Sequence, residues 1–228
     1  MRQKWHDLLF AHWPAPAKVV RSLVPKGLEL DTFRDQTFVS IVPFTMSGVR
    51  LRGTPALPWL SSFPELNVRT YVTAGGKPGV WFFSLDAANP VAVEIARWWF
   101  HLPYFLSRMK SCAGPAGISY SARRIDRRGV GEKLETTYAA LGSSFACEPG
   151  TLEYFLTERY CLYAQKADGT MLRSEIHHAP WSLQNGSANI AANTMLKNLG
   201  IEISGPPMLL HFSRLQDVIV WRPKIVGR

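Results

Sequence analysis

The chain has 228 residues, 46% hydrophobic and 19% charged, with a net charge of +9 and a pI of about 9.7. This is globular composition with enough apolar material for one core, read as a single domain over 1–228. It contains no run of about 18 apolar residues that would span a membrane as a helix. The basic balance admits an anionic small molecule, an anionic surface or nucleic acid, but the charge is not stacked in one segment, which disfavours nucleic acid.

The opening MRQKWHDLLFAHWP lacks the apolar stretch and small-residue cleavage site of a signal peptide. Residues 15–24 (APAKVVRSLV) predict a short helix stopped by Pro25 and Gly27. Residues 37–44 (TFVSIVPF) predict a strand. Residues 50–62, with Gly53, Pro55 and Pro58, predict a loop. Residues 65–73 and 80–85 predict a hairpin across Gly75-Gly76 and Pro78-Gly79. A helix follows, with Asn89 as N-cap and Pro90 at the first position, where its missing N–H costs nothing. It runs through Ile95, Trp98 and Trp99 and should end or kink at Pro103. Strands are predicted over 117–125 and 134–141, and over 154–164 and 171–178 around the turn Asp168-Gly169. Residues 189–199 read as a helix closed by Gly200, and residues 208–221 as a last extended stretch. The expected class is α+β, mainly β, with antiparallel hairpins and a few helices.

The three cysteines, Cys112, Cys147 and Cys161, are odd in number and widely spaced. They imply a reduced, cytosolic chain rather than a disulfide scaffold, and the absence of CxxC excludes a zinc ribbon. No Walker loop, GxGxxG, HExxH or nucleophile elbow is present, so no cofactor and no metal is indicated. His177 and His178 are adjacent on a predicted strand and should point to opposite faces, a poor metal site; one of them, with Pro180 and Trp181, is expected to reach a barrel mouth, the alternative being a hydrogen-bonded structural histidine. Glu158 and Arg159 should likewise face apart. Arg123, Arg124, Arg127 and Arg128 read as a modest basic patch on a solvated loop.

The most informative segment is 65–72. Glu65, Asn67, Arg69 and Tyr71 alternate with Leu66, Val68, Thr70 and Val72, so period two puts the four polar groups on one face. Such a face is either solvent-exposed on an ordinary sheet or turned inward to line a polar cavity.

Several stretches in order, LVPKGLELD at 23–31, IVPFTMSGVRLRG at 41–53, FPELNVRTYV at 63–72, SLDAANP at 84–90, LPYFLSRM at 102–109, FLTERYCLYA at 155–164, HAPWSLQ at 178–184 and LLHFSRLQDVIVW at 209–221, resemble the YqjF-like proteins, a largely bacterial family. The resemblance covers nearly the whole chain. That family is in turn similar to acetoacetate decarboxylase, which implies a cone-shaped antiparallel barrel with a few flanking helices around a cavity. It places Glu65 at the decarboxylases' buried glutamate. Pro103-Tyr104-Phe105 falls where they carry Pro-Lys-Lys, so Tyr104 stands at the Schiff-base lysine and Phe105 at its neighbour. A decarboxylase arginine falls near His6.

An imine requires a primary amine of lowered pKa, which neither Tyr104 nor Phe105 offers; Lys110, expected one to two helical turns further on, is the remaining amine nearby. The resemblance therefore implies the cavity without the decarboxylase chemistry. The expected catalytic pair is Glu65, as base or acceptor, and Tyr104, as donor. The expected ligand-binding set is Arg69, Asn67, Tyr71 and Phe105, with Arg69 holding a carboxylate through its planar fork. The expected partner is a small organic acid or carbonyl compound, bound for imine-free acid–base chemistry such as enolisation or hydration, or bound without turnover by a sensor or carrier. Association with further copies of the chain is left open.

Overall fold

The computed structural model describes residues 1–50, 53, 55, 61–129 and 131–227. Residues 51–52, 54 and 56–60 of the expected loop lie outside the described residues. The chain forms one thirteen-stranded sheet. Strands β1 (Arg2–Ala15), β2 (Glu29–Leu30), β3 (Thr37–Arg50), β4 (Phe63–Ala74) and β5 (Lys77–Ala87) come first, with helix α1 (Ala17–Ser22) after β1. Helix α2 (Pro90–Phe100) leads to β6 (Tyr104–Gly114), β7 (Gly117–Arg124) and β8 (Lys133–Phe145). Helix α3 (Leu152–Thr157) precedes β9 (Cys161–Gln165), β10 (Met171–His177), β11 (Leu183–Asn193), β12 (Leu209–Val220) and β13 (Lys224–Gly227).

The sheet curls on itself because β5 and β12 each pair with three neighbours. On one side β5 runs antiparallel to β4, from Glu65↔Ala87 to Ala74↔Lys77. On the other side it is shared by two parallel partners, β9 at Val80–Trp81 and β6 at Leu85–Ala87. In the same way β12 pairs β1 along one edge and is divided on the other between β11 and β10. Two rings result. The larger runs through β5, β6, β7, β8, β11, β12, β1, β3 and β4; the smaller passes through β9 and β10 instead, sharing β12, β1, β3, β4 and β5. The parallel β5–β6 step is made by α2, as a parallel connection requires a crossover.

The shared strands bury both faces. Leu66, Val68 and Val72 of β4, with Leu9, Ala11, Val39 and Ile41, pack with Tyr120, Tyr138 and Phe212 into the core of the larger ring. The alternate residues face the smaller ring.

Local signals account for much of this. The Asn89 side chain accepts from the N–H groups of Val91 and Ala92, both at 3.0 Å, and Pro90 opens α2. The Asp168 carboxylate accepts from Thr170 N–H and Gly169 takes φ +87°, closing the β9–β10 hairpin. Three expectations are corrected. Residues 189–193 are strand, not helix: β11 pairs with β8 as far as Asn193↔Leu134, and only Lys197–Leu199 form a 3₁₀ turn before Gly200. Long-range pairing overrides local propensity there. Residues 152–157 are helical, because the Thr151 hydroxyl caps Tyr154 N–H. Residues 104–114 are a strand, so Lys110 is exposed on β6 and stands apart from any helix. The N-terminal segment, which carries no strand signal in the sequence, forms β1 between β3 and β12.

Candidate functional site

The smaller ring encloses a cavity of about 450 Å³. Each of its strands contributes lining side chains, whereas β7, β8 and β11 contribute none. Helix α2 covers one end with Ala92, Ile95, Ala96, Trp99 and Phe100, spaced along one helical face. Trp5, Phe10, Phe44, Phe63, Phe82 and Trp181 supply aromatic rings to the wall.

The polar part comes from β4. Glu65, Asn67 and Arg69 line the cavity, so the inward reading of that face is the one the fold adopts. Glu65 is 3% exposed. Its carboxyl Oε2 accepts from the Tyr104 hydroxyl at 3.0 Å, and the Asn67 side chain is a second hydrogen-bond partner. The Tyr120 hydroxyl donates to the Glu65 carbonyl at 2.7 Å and holds the backbone in place. Burial, which disfavours the charged form, pushes the Glu65 carboxyl up to about 8; the hydrogen bonds from Tyr104 and Asn67 oppose this only in part. Burial and the adjacent Glu65 hold the Tyr104 phenol well above its usual range. Near neutral pH the pair is thus a phenol donating to a carboxylic acid, with the Glu65 acid proton left to face the cavity.

Arg69 is 9% exposed. Its guanidinium sits 5.3 Å from the Phe10 ring centroid and 5.8 Å from that of Tyr71. One nitrogen donates to the Leu156 carbonyl at 3.3 Å, and Nε has no partner. Among the described residues Arg69 forms no ion pair, with Glu65 or any other carboxylate. Arg159, also in the lining, is by contrast balanced by Asp31 at 2.5 Å and donates to the Phe155 carbonyl. Unpartnered buried polar atoms gather here: Gln3 Oε1, Trp5 Nε1, Asn67 Oδ1 and Arg69 Nε all belong to lining residues.

Two expected ligand contacts are placed elsewhere. Phe105 follows Tyr104 on β6 and so points to the opposite face, where the Arg124 guanidinium lies 4.0 Å over its ring. Tyr71 continues the polar face past the cavity: its hydroxyl donates to the Leu156 carbonyl at 3.0 Å and shares a hydrogen bond with Ser40, and its ring packs on Phe155. Neither lines the cavity. His6 bonds Ser47 at 2.6 Å outside it, and among the described residues no lysine lines it. His178 and Trp181 do line it, with His177 exposed on the other side. Glu158 and Arg159 stand after α3 rather than on a strand; Glu158 accepts from Trp181 N–H at 2.9 Å. The arginine cluster is only partly a solvated patch: Arg124 is buried in a bidentate pair with Asp86 at 2.8 and 2.7 Å, and Arg128 pairs with Asp126 and Glu94. Sequence reasoning missed Trp5, Phe10 and Arg159, which reach the site from β1 and from the end of α3. Among the described residues no group of three or more His, Cys, Asp or Glu side chains is placed to hold a metal ion.

A mainly β sheet curled in a ring, with three α-helices among the described residues, gives the chain an acetoacetate decarboxylase-like fold. It is similar to the enduracididine biosynthesis enzyme MppR complexed with pyruvate (TM-score 0.66, 12% identity, 98% of this chain and 89% of that one). It is also similar to acetoacetate decarboxylase from Legionella pneumophila (TM-score 0.64, 12% identity, 100% and 88%). At such identities the likeness is one of fold alone. The chain belongs to the DUF2071 family, described as an uncharacterized conserved protein, which it matches over residues 2–217. It is 45% identical over 222 residues to the uncharacterized protein YqjF of Bacillus subtilis (strain 168), covering 97% of this chain and 90% of that protein.

Proposed function

We propose that the cavity binds an organic acid bearing a carbonyl or hydroxyl group, with Arg69 as the carboxylate anchor. The observation that carries this reading is Arg69 itself. A guanidinium withdrawn from water costs several kcal/mol unless an anion or a full set of hydrogen bonds replaces its hydration. Arg69 has one long backbone contact and an unpartnered Nε. A bound carboxylate would supply the missing acceptors in bidentate form.

Glu65 is not that anion, because it is neutral near pH 7. In this reading the Glu65 acid, held in place by the Tyr104 hydroxyl, donates to a carbonyl oxygen of the ligand, polarising it for loss of a proton from the adjacent carbon to water or for addition of water. Imine formation has no part, since no amine is offered where the resemblance to acetoacetate decarboxylase places its lysine. Binding without turnover uses the same contacts and omits the proton transfer. The fold likeness to a protein complexed with pyruvate supports an acid as ligand.

The test is calorimetric titration with pyruvate, acetoacetate and longer 2-oxo and 3-oxo acids, against the corresponding methyl esters, using the full chain and Arg69→Gln. Acids should bind, esters should not, and R69Q should bind acids at least tenfold more weakly. Equal binding of acids and esters would overturn the reading. Release of deuterium from the carbon next to the ketone, lost in E65Q, separates an enzyme from a carrier.

A further inference from the structure

The geometry points to a ligand that is an amphipathic monocarboxylate of roughly ten to fifteen non-hydrogen atoms, whose apolar tail lies under α2, rather than a three- or four-carbon keto acid. This rests on the reading above that Arg69 takes the carboxylate.

Size comes first. At ~30 Å³ per water-sized group, about 450 Å³ holds roughly fifteen such groups. A keto acid of six or seven non-hydrogen atoms would leave half the space filled with water against aromatic walls.

The distribution of polarity comes second. On β3, Val42, Phe44 and Met46 pair with Asn67, Glu65 and Phe63; on β5, Leu85 and Ala87 pair with Asn67 and Glu65. Glu65 and Asn67 are thus flanked by apolar residues, whereas Arg69 pairs with Ser40 and Phe82.

The poles come third. Arg69 and Arg159 both stand against the Tyr71 ring, at 5.8 and 5.2 Å, at the α3 end. Toward Phe63 the polar stripe of β4 ends, and Met46, Val49, Phe63, Ile95 and Trp99 take over, with Arg50 at the end of β3 the charged group in that part of the lining. Glu65 and Arg69 leave the strand four residues apart, ~13 Å at 3.3 Å per residue. The Arg69 guanidinium packs over Phe10 and Tyr71, and no ion pair joins it to Glu65. A ligand touching both ends, and the α2 residues beyond, is elongated. Ile95 and Trp99 line the cavity while remaining 50% and 41% exposed, which suits a tail reaching the cavity's rim.

The test is intrinsic fluorescence, reported by Trp5, Trp99 and Trp181 in the wall. The full chain, Arg69→Gln and Ala96→Phe are titrated below micellar concentration with straight-chain carboxylates of four to fourteen carbons and with decan-1-ol. Each CH₂ should tighten binding about fourfold, the equivalent of ~0.8 kcal/mol per buried methylene, until the cavity is full between roughly eight and thirteen carbons. R69Q should weaken every acid by a similar factor and leave the increment unchanged. A96F, which adds bulk at the α2 end only, should move the plateau to shorter chains and leave butanoate unaffected. Arg69-dependent binding with no chain-length increment would overturn the inference and leave the acid-binding reading standing. Acid affinities unaffected by R69Q, with decan-1-ol binding as tightly as decanoate, would support the apolar tail and overturn Arg69 as anchor. No binding of any member would overturn both.

Discussion

Replacing Glu65 by Gln should make the protein more stable at neutral and mildly alkaline pH, which is unusual for a site residue. Glu65 titrates near 4.5 when unfolded and near 8 when folded. Between those values the folded state holds a proton that the unfolded state has released, so stability falls as pH rises. The contribution is fully present below 4.5 and lost as pH rises through about 8. At about 1.4 kcal/mol per pH unit, the cost at pH 7 is roughly 3 kcal/mol, and it reaches roughly 4 kcal/mol at pH 8, where the folded carboxyl is half ionised. Gln has the same shape, remains neutral and can keep hydrogen bonds to Tyr104 and Asn67. Urea denaturation of both proteins at pH 5, 6, 7 and 8 reads the difference. E65Q should match the parent within about 1 kcal/mol at pH 5 and exceed it by roughly 3 kcal/mol or more at pH 8. A difference independent of pH, or an E65Q protein less stable throughout, would mean that Glu65 is ionised in the fold, and would refute both its neutrality and its role as a proton donor.

Arg69→Met should raise stability by about 1 kcal/mol or more in the absence of ligand, because it removes a buried cation without an ion pair; denaturant melts with and without an organic acid check it, the acid stabilising only the parent. Acid binding should weaken about tenfold per pH unit above pH 8 as Glu65 ionises beside the bound anion, and titrations across pH 6–10 should show this loss abolished in E65Q. Asp86→Asn should cost about 2–3 kcal/mol by thermal or urea unfolding, since it removes the bidentate partner of the buried Arg124 and leaves it with Glu132 at 3.5 Å. Gly79→Ala should cost at least about 2 kcal/mol, because a Cβ there would lie 2.6 Å from Cys161 Sγ and 2.8 Å from the Cys161 carbonyl, where β5 meets β9; an unchanged melting temperature would show that this crossing is looser than described.

The residues 65–85 show how far the chain speaks for itself. The alternation along 65–72, the glycine turn and the Asn89-Pro90 start of α2 are local features, and local physics decides them. Together with the motifs that resemble the YqjF-like proteins, they determined the mainly β class, placed Glu65 and Arg69 on one face, and showed that no lysine stands at 104. Whether that face met solvent or a cavity was not legible, because period two is the same in both cases. Only the tertiary structure decided it, by splitting the partners of β5 and β12 so that β4 lies between two rings and buries both faces. The same long-range pairing turned 189–193 into strand against their propensity. It also decided the fate of neighbours: Tyr104 faces Glu65, while Phe105 turns away to Arg124 because consecutive strand residues diverge. Glu65 as a neutral acid and Arg69 as a cation without a counter-ion belong to this second class. Both depend on which groups are excluded from water and which come near from distant parts of the chain, and a sequence records neither.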